Sequence, residues 1–208
     1  PPPLPPTVDL KIFLEGPFTG STMSNSLNSG GDLPLSQPFS ASPWNYGGTE
    51  SVGSIPNSNI IDWVLIEFRD APGAAATATG STIVERQAAF LLSDGSVVGM
   101  DGSSLLQPAV TINNNLFVVV NHRNHIPVMS ATAVVLNGST YEFDFTTAIS
   151  KVYNGSMCCK QIGTGIYGMV AGDGLCDGVV NNSDKEAVWW MEAGLNGYYN
   201  GDFNRDGT

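Results

Sequence analysis

At 208 residues the chain can bury one good core, or one domain and a small satellite. Its formal net charge of −11 speaks against nucleic acid as a partner, because phosphate binding needs a basic face. No run approaches the ~18 apolar residues of a membrane span. Charged residues make up only 13%, while Gly (24) and Pro (13) are plentiful, which is the composition of a loop-rich, all-β extracellular protein.

Pro1–Pro6 is a polyproline-type segment, extended and stiff, so residues 1–7 read as a linker or arm. Val8–Glu15 alternates and predicts a strand. Residues 16–53 are irregular, but their leucines and aromatics (Leu27, Leu33, Phe39, Trp44, Tyr46) predict a segment that packs onto something. Asp62–Arg69 predicts a strand, Ala71–Gly80 a loop, and Thr82–Leu92 and Ser96–Met100 two strands joined at Ser93-Asp94-Gly95. Leu116–His122 suits a buried strand. Thr132–Leu136 and Thr140–Phe145 flank Asn137-Gly138, a strong hairpin signal. Strands in this number with almost no helix predict an antiparallel β-sandwich over residues 8–150, followed by a Gly/Cys-rich connector over 151–171.

The C-terminal stretch 172–208 carries a repeat. Asp173-Gly174-Leu175-Cys176-Asp177-Gly178-Val179 returns 29 positions on as Asp202-Phe203-Asn204-Arg205-Asp206-Gly207-Thr208. Acids at loop positions 1 and 5 and glycine at 6 form the front half of a calcium loop. Alternate oxygen side chains converge on one hard cation, and the glycine turns the position 7 carbonyl inward. In the first loop the expected ligands are Asp173, Asp177, the Val179 carbonyl, Asn181 (directly or through water) and Asp184. Leu175 at position 3 has no side-chain oxygen, which predicts weaker binding. In the second they are Asp202, Asn204, Asp206 and the Thr208 carbonyl. Between them Ser183–Ala193 reads as a helix, capped at Ser183 or Asp184 and ended by Gly194. Loop, helix, loop resembles a dockerin-like module, and that resemblance implies Ca2+ as the bound ion.

Three cysteines are present. A bridge from Cys158 or Cys159 to Cys176 closes a loop of about 17 residues and contributes about 3 kcal/mol; the alternative is three buried thiols. His122-Arg123-Asn124-His125 holds both histidines, which diverge on a strand and converge on a turn; the reading favours hydrogen bonds to loop backbone. Asp62, Glu67, Arg69 and Arg86 are expected to form ion pairs on one sheet face. Gly163-Thr164-Gly165-Ile166-Tyr167-Gly168 fits G-x-G-x-x-G literally but lacks the strand-helix context of a nucleotide site. Trp44, Tyr46 and Trp63 are the candidates for a sugar-stacking platform. No nucleophile or zinc-protease motif is present.

The run Val8-Asp9-Leu10-Lys11-Ile12-Phe13-Leu14-Glu15-Gly16-Pro17-Phe18 resembles the opening of a region found in secreted and surface proteins of Bacteroidota. Further matches follow in order: Pro43-Trp44-Asn45-Tyr46, Asp62-Trp63-Val64-Leu65-Ile66-Glu67-Phe68-Arg69, Arg86-Gln87-Ala88-Ala89-Phe90-Leu91-Leu92 and His122-Arg123-Asn124-His125. The resemblance covers nearly the whole chain and implies an extracellular place and calcium, with no reaction attached. The expected protein is therefore a non-enzymatic structural component that self-associates into a fibre through sheet edges, or pairs with another surface protein. The alternative is an ancillary carbohydrate- or protein-binding module of a larger secreted hydrolase or adhesin. Both ends read as cuts.

Overall fold

A computed structural model describes residues 6–208; Pro1–Pro5, most of the proline arm, lie outside the described residues. The fold is all-β, with ten strands among the described residues: β1 (Thr7–Lys11), β2 (Ile60–Ala71), β3 (Ile83–Leu92), β4 (Val97–Val98), β5 (Asn115–His122), β6 (His125–Met129), β7 (Val135–Asn137), β8 (Thr140–Asp144), β9 (Cys159–Gly163) and β10 (Ile166–Met169). The largest sheet is antiparallel, in the order β4-β3-β2-β5-β6, and a second, three-stranded sheet runs β1-β8-β7. In the second sheet β1 runs parallel to β8, with Thr7 opposite Thr140 and Lys11 opposite Asp144. The expectation of purely antiparallel pairing is corrected there. β1 and β8 are far apart in sequence, so no tight turn dictates their relative direction.

The main core lies between these two sheets. Val8 and Leu10 of β1 and Phe143 of β8 pack with Val64, Ile66 and Phe68 of β2, Ala89 and Leu91 of β3, and Val118 and Val120 of β5. The opposite face of the five-stranded sheet is covered as well, by the irregular segment and not by a third sheet. Leu27, Leu33, Phe39 and Tyr46 pack over Trp63, Leu65, Ala88 and Phe90, and the Trp63 indole N–H donates to the Pro34 carbonyl at 2.8 Å. Coverage on both faces explains why β2 reads as a nearly unbroken apolar run.

The strand at 96–100 is shorter than expected, because Gly99 N–H donates to Ser104 O and turns the chain after β4. The hairpin at Asn137 forms with Gly138 in the left-handed region (φ 62°), a backbone state that suits glycine. Residues 151–171, expected as a connector, form the β9–β10 hairpin and contribute Val152, Cys158, Cys159 and Met169 to the main core. The G-x-G-x-x-G run spans the turn of that hairpin.

The helix after the first acidic loop spans 182–192. Asn181 caps it by accepting from Ser183 N–H, and Asp184 reaches back to accept from Asn181 N–H, a reciprocal capping box. Its middle turn, Lys185–Trp189, is wound wide as a π-turn. Gly194 follows with φ 82°. None of the helices in the described residues is long and apolar enough to cross a membrane.

Candidate metal centre

The two acidic loops repeat each other in backbone and hydrogen bonding as well as in sequence. Position 4 is left-handed in both (Cys176 φ 58°, Arg205 φ 65°), and so is position 6 (Gly178 φ 83°, Gly207 φ 85°). In the first loop the Asp173 carboxylate accepts from Asp177 N–H at 2.9 Å and Gly178 N–H at 3.0 Å. In the second, Asp202 accepts from Asp206 N–H at 3.2 Å and Gly207 N–H at 3.1 Å. The position 5 acids accept from position 7 in both, Asp177 from Val179 N–H and Asp206 from Thr208 N–H, each at 3.0 Å. A run of residues that adopts one strained backbone twice, with two non-glycine residues left-handed, is specified by its spacing and not by chance contacts.

Each expected ligand can be placed. Asp184 closes the first loop: its carboxylate accepts from Leu175 N–H at 3.1 Å and Asn181 N–H at 2.8 Å. The Asn181 side chain is engaged as the helix cap. In the second loop the Asn204 amide donates to Asp206 at 2.7 Å. Among the described residues no three His, Cys, Asp or Glu side chains converge as a ready-made metal cluster. The carboxylates are turned toward backbone N–H groups, and the rest of each expected donor set consists of carbonyl and amide oxygens. That all-oxygen set suits a hard cation.

Asp173 is 0% exposed and Asp184 2%. Among the described residues neither makes an ion pair with a cationic side chain. Burial, with Asp184 and Asp177 beside it, raises the Asp173 carboxyl above its ordinary value, and burial raises Asp202 likewise. Backbone N–H groups offset part of the charge on each carboxylate, and a cation in the loop would offset more. In donor chemistry the set of carboxylate, carbonyl and amide oxygens is of the kind a hard divalent ion takes.

Sequence reasoning missed what holds the loops to the β-rich body. β5 and β6 are joined by the two-residue turn Arg123-Asn124, with His122 opposite His125. The pairing is irregular between Val120 and His122 and, on β2, between Ile60 and Asp62. Such bulges re-aim side chains, and here Asp62 and His122 meet. His122 Nε2 lies 2.9 Å from Asp62 Oδ2. Tyr198 O–H donates to Asp62 Oδ1 at 2.7 Å, and Arg123 Nε donates to Oδ2 at 3.3 Å. Arg205, position 4 of the second loop, reaches the same carboxylate, with its Nη1 2.8 Å from His122 Nε2. The Arg123 guanidinium stacks on the Tyr198 ring, 4.0 Å from its centroid.

Burial, reinforced by Arg123, pushes the His122 pKa well below its ordinary value. For His125 the cause is again burial first, then His122 and Arg123. Both rings are therefore neutral at pH 7. His122 Nε2 lies within hydrogen-bond reach of both Asp62 Oδ2 (2.9 Å) and Arg205 Nη1 (2.8 Å), and His125 Nδ1 lies 3.0 Å from His122 Nδ1 and 2.8 Å from Asn124 Oδ1. The histidines converge on a turn, as one of the two expected geometries had it, but their main partners are side chains. Asp62 does not join the expected set on the sheet face. Only Glu67 and Arg69 pair there, at 2.5 Å, while Arg86 donates to the Trp44 carbonyl at 2.7 Å.

The expected disulfide is absent. All three thiols are free, because Cys158 and Cys159 are buried in the main core while Cys176 points at the Arg123 carbonyl and donates to it at 2.8 Å. Trp63 is 0% exposed and Tyr46 is buried, so neither offers an open sugar platform. The signal for the anchors lay in the repeat itself: position 4 supplies no ligand, yet it carries Cys176 and Arg205 in a conformation that costs a non-glycine residue. No family model matches the chain, and neither does any curated protein or solved structure.

Proposed function

We propose that the chain is a non-enzymatic, extracellular, calcium-binding structural protein whose C-terminal stretch is a dockerin-like pair of cation loops. The observation that carries this reading is the repeated geometry, in which two loops 29 residues apart share left-handed positions 4 and 6 and the same pattern of hydrogen bonds. Asp173, Asp177, the Val179 carbonyl, Asn181 and Asp184 would hold one Ca2+. Asp202, Asn204, Asp206 and the Thr208 carbonyl would supply part of the ligand set of a second Ca2+. Calcium would offset the charge buried at Asp173 and Asp184 and stiffen the tail, since binding to a loop that the unfolded chain lacks adds to folding energy.

Assembly would run through the open edge of the three-stranded sheet. β7 is the edge strand, and Val135 and Leu136 are 67% and 50% exposed; an unpaired apolar edge of this kind accepts a strand from another chain. The second reading, an ancillary binding module, draws on Trp189 and Trp190, both exposed on the helix.

Calorimetric titration with calcium tests the first claim. Heat that is lost stepwise in Asp173→Asn and Asp202→Asn is expected, and no binding at millimolar calcium overturns it. Electron microscopy with calcium and with EDTA tests the second. Ordered fibres that loosen in EDTA support the structural reading, whereas a monomer in both conditions favours the binding module.

A further inference from the structure

The two loops share contacts with one element of the β-rich body. Position 4 of the first loop, Cys176, donates its thiol to the Arg123 carbonyl. Position 4 of the second, Arg205, enters the Asp62–His122 pair. The turn answers with its own groups. Asn124 donates to the Asn200 and Asp202 carbonyls at 3.1 and 2.8 Å, and its carbonyl accepts from Gly172 N–H at 3.1 Å. Asp202 and Gly172 are the first residue of the second loop and the residue just before the first. His122, Arg123, Asn124, His125 and Arg205 are each at most 2% exposed.

We propose that the His122–His125 turn is a shared seat that couples the two cation loops to each other and to the five-stranded sheet, with Arg205 as the positioning residue of the second loop; the proposal rests on the calcium reading above. The left-handed backbone at Arg205 serves two ends at once. It turns the guanidinium into the cluster, and it brings the N–H groups of Asp206 and Gly207 onto Asp202. Filling the loop with an ion and seating the arginine therefore favour the same conformation. Linkage makes the coupling reciprocal, and couplings of this type change affinity by about 5- to 150-fold.

The experiment uses the full chain, calcium and EDTA, with calorimetry for affinity and hydrogen exchange over residues 59–63 and 121–126. In the wild type, calcium is expected to slow exchange in both segments. In Arg205→Met, calcium affinity at the second loop is expected to fall by about 5-fold or more, and the calcium-dependent protection of 121–126 to disappear. Asp173→Asn identifies the heat of the first loop. If Arg205→Met does not fold, Arg205→Lys, which keeps the charge and loses the fork, is expected to show the same loss in smaller measure. Unchanged calcium affinities and unchanged protection in a folded variant overturn the proposal even where thermal stability falls, because Arg205 is then packing alone. Absence of calcium heat from the wild type overturns the calcium reading itself, a result distinguishable from loss of coupling.

Discussion

Removing Asp62 should be among the most damaging single substitutions in this chain. The carboxylate is 0% exposed and receives Tyr198 O–H and Trp63 N–H, both at 2.7 Å, together with Arg123 Nε, and His122 Nε2 lies 2.9 Å from it. It also faces Arg205. In Asp62→Ala the guanidinium groups of Arg123 and Arg205, 2% and 1% exposed, lose the carboxylate they share. Breaking a buried ion pair by deleting one partner costs about 3–5 kcal/mol, a large share of the roughly 5–15 kcal/mol that holds a domain together. With a urea slope of about 2–3 kcal/mol/M, the midpoint should fall by about 1–2 M. Equilibrium urea unfolding followed by tryptophan fluorescence measures this. The triple variant Asp62→Leu, Arg123→Met, Arg205→Met is expected to recover much of the loss, since a buried charge group replaced as a whole by apolar side chains is close to neutral. A loss below about 1 kcal/mol for Asp62→Ala refutes the reasoning, because the arginines must then be satisfied by other groups.

Gly16→Ala should loosen the second loop without touching a ligand: a Cβ at that position collides with the Phe203 carbonyl oxygen, so faster proteolysis within residues 198–208 is expected, and unchanged proteolysis argues against the contact. Gly178→Ala places a side chain at φ 83°, costs about 1–2 kcal/mol, and should weaken calcium at the first loop by about tenfold while sparing the second, as calorimetry can resolve. Stability should also fall in acid. The unfolded histidines take up protons near pH 6.5, whereas folded His122 and His125, their values depressed by burial, do so only well below it. Stability is therefore present above about pH 6.5 and lost as pH falls below it, at up to about 1.4 kcal/mol per pH unit for each histidine. Asp173 and Asp202, raised by burial, act with the opposite sign, gaining stability as pH falls through their folded values. The comparison is therefore between wild type and His125→Gln, whose thermal midpoint should fall less steeply between pH 7 and 5; parallel slopes would refute a neutral buried His125.

Much of this architecture is legible in local pattern. The apolar-rich runs at 62–69, 82–92 and 116–122 become strands because each has apolar residues to bury. Asn137-Gly138 becomes a hairpin turn because glycine tolerates φ 62°. The spacing of Asp173, Asp177 and Gly178, repeated at Asp202, Asp206 and Gly207, fixes two equivalent loops because a carboxylate at position 1 meets the N–H groups of positions 5 and 6 wherever the chain turns there.

Other features are properties of assembly. Asp62 looks like a partner for Arg69 and Arg86 on a regular strand, and a bulge beside it sends it instead to a histidine 60 residues away. Cys176 has the spacing for a disulfide but sits where a left-handed backbone aims its thiol at a carbonyl. The parallel pairing of β1 with β8 and the cover of residues 27–46 over Trp63 join segments that no short turn connects. The strands, the turns and the two acidic loops are thus set by interactions within a few residues and could be read locally. Tertiary structure alone decided which buried charges share a carboxylate and where the loops are seated, because those choices depend on pairing groups from distant segments out of water.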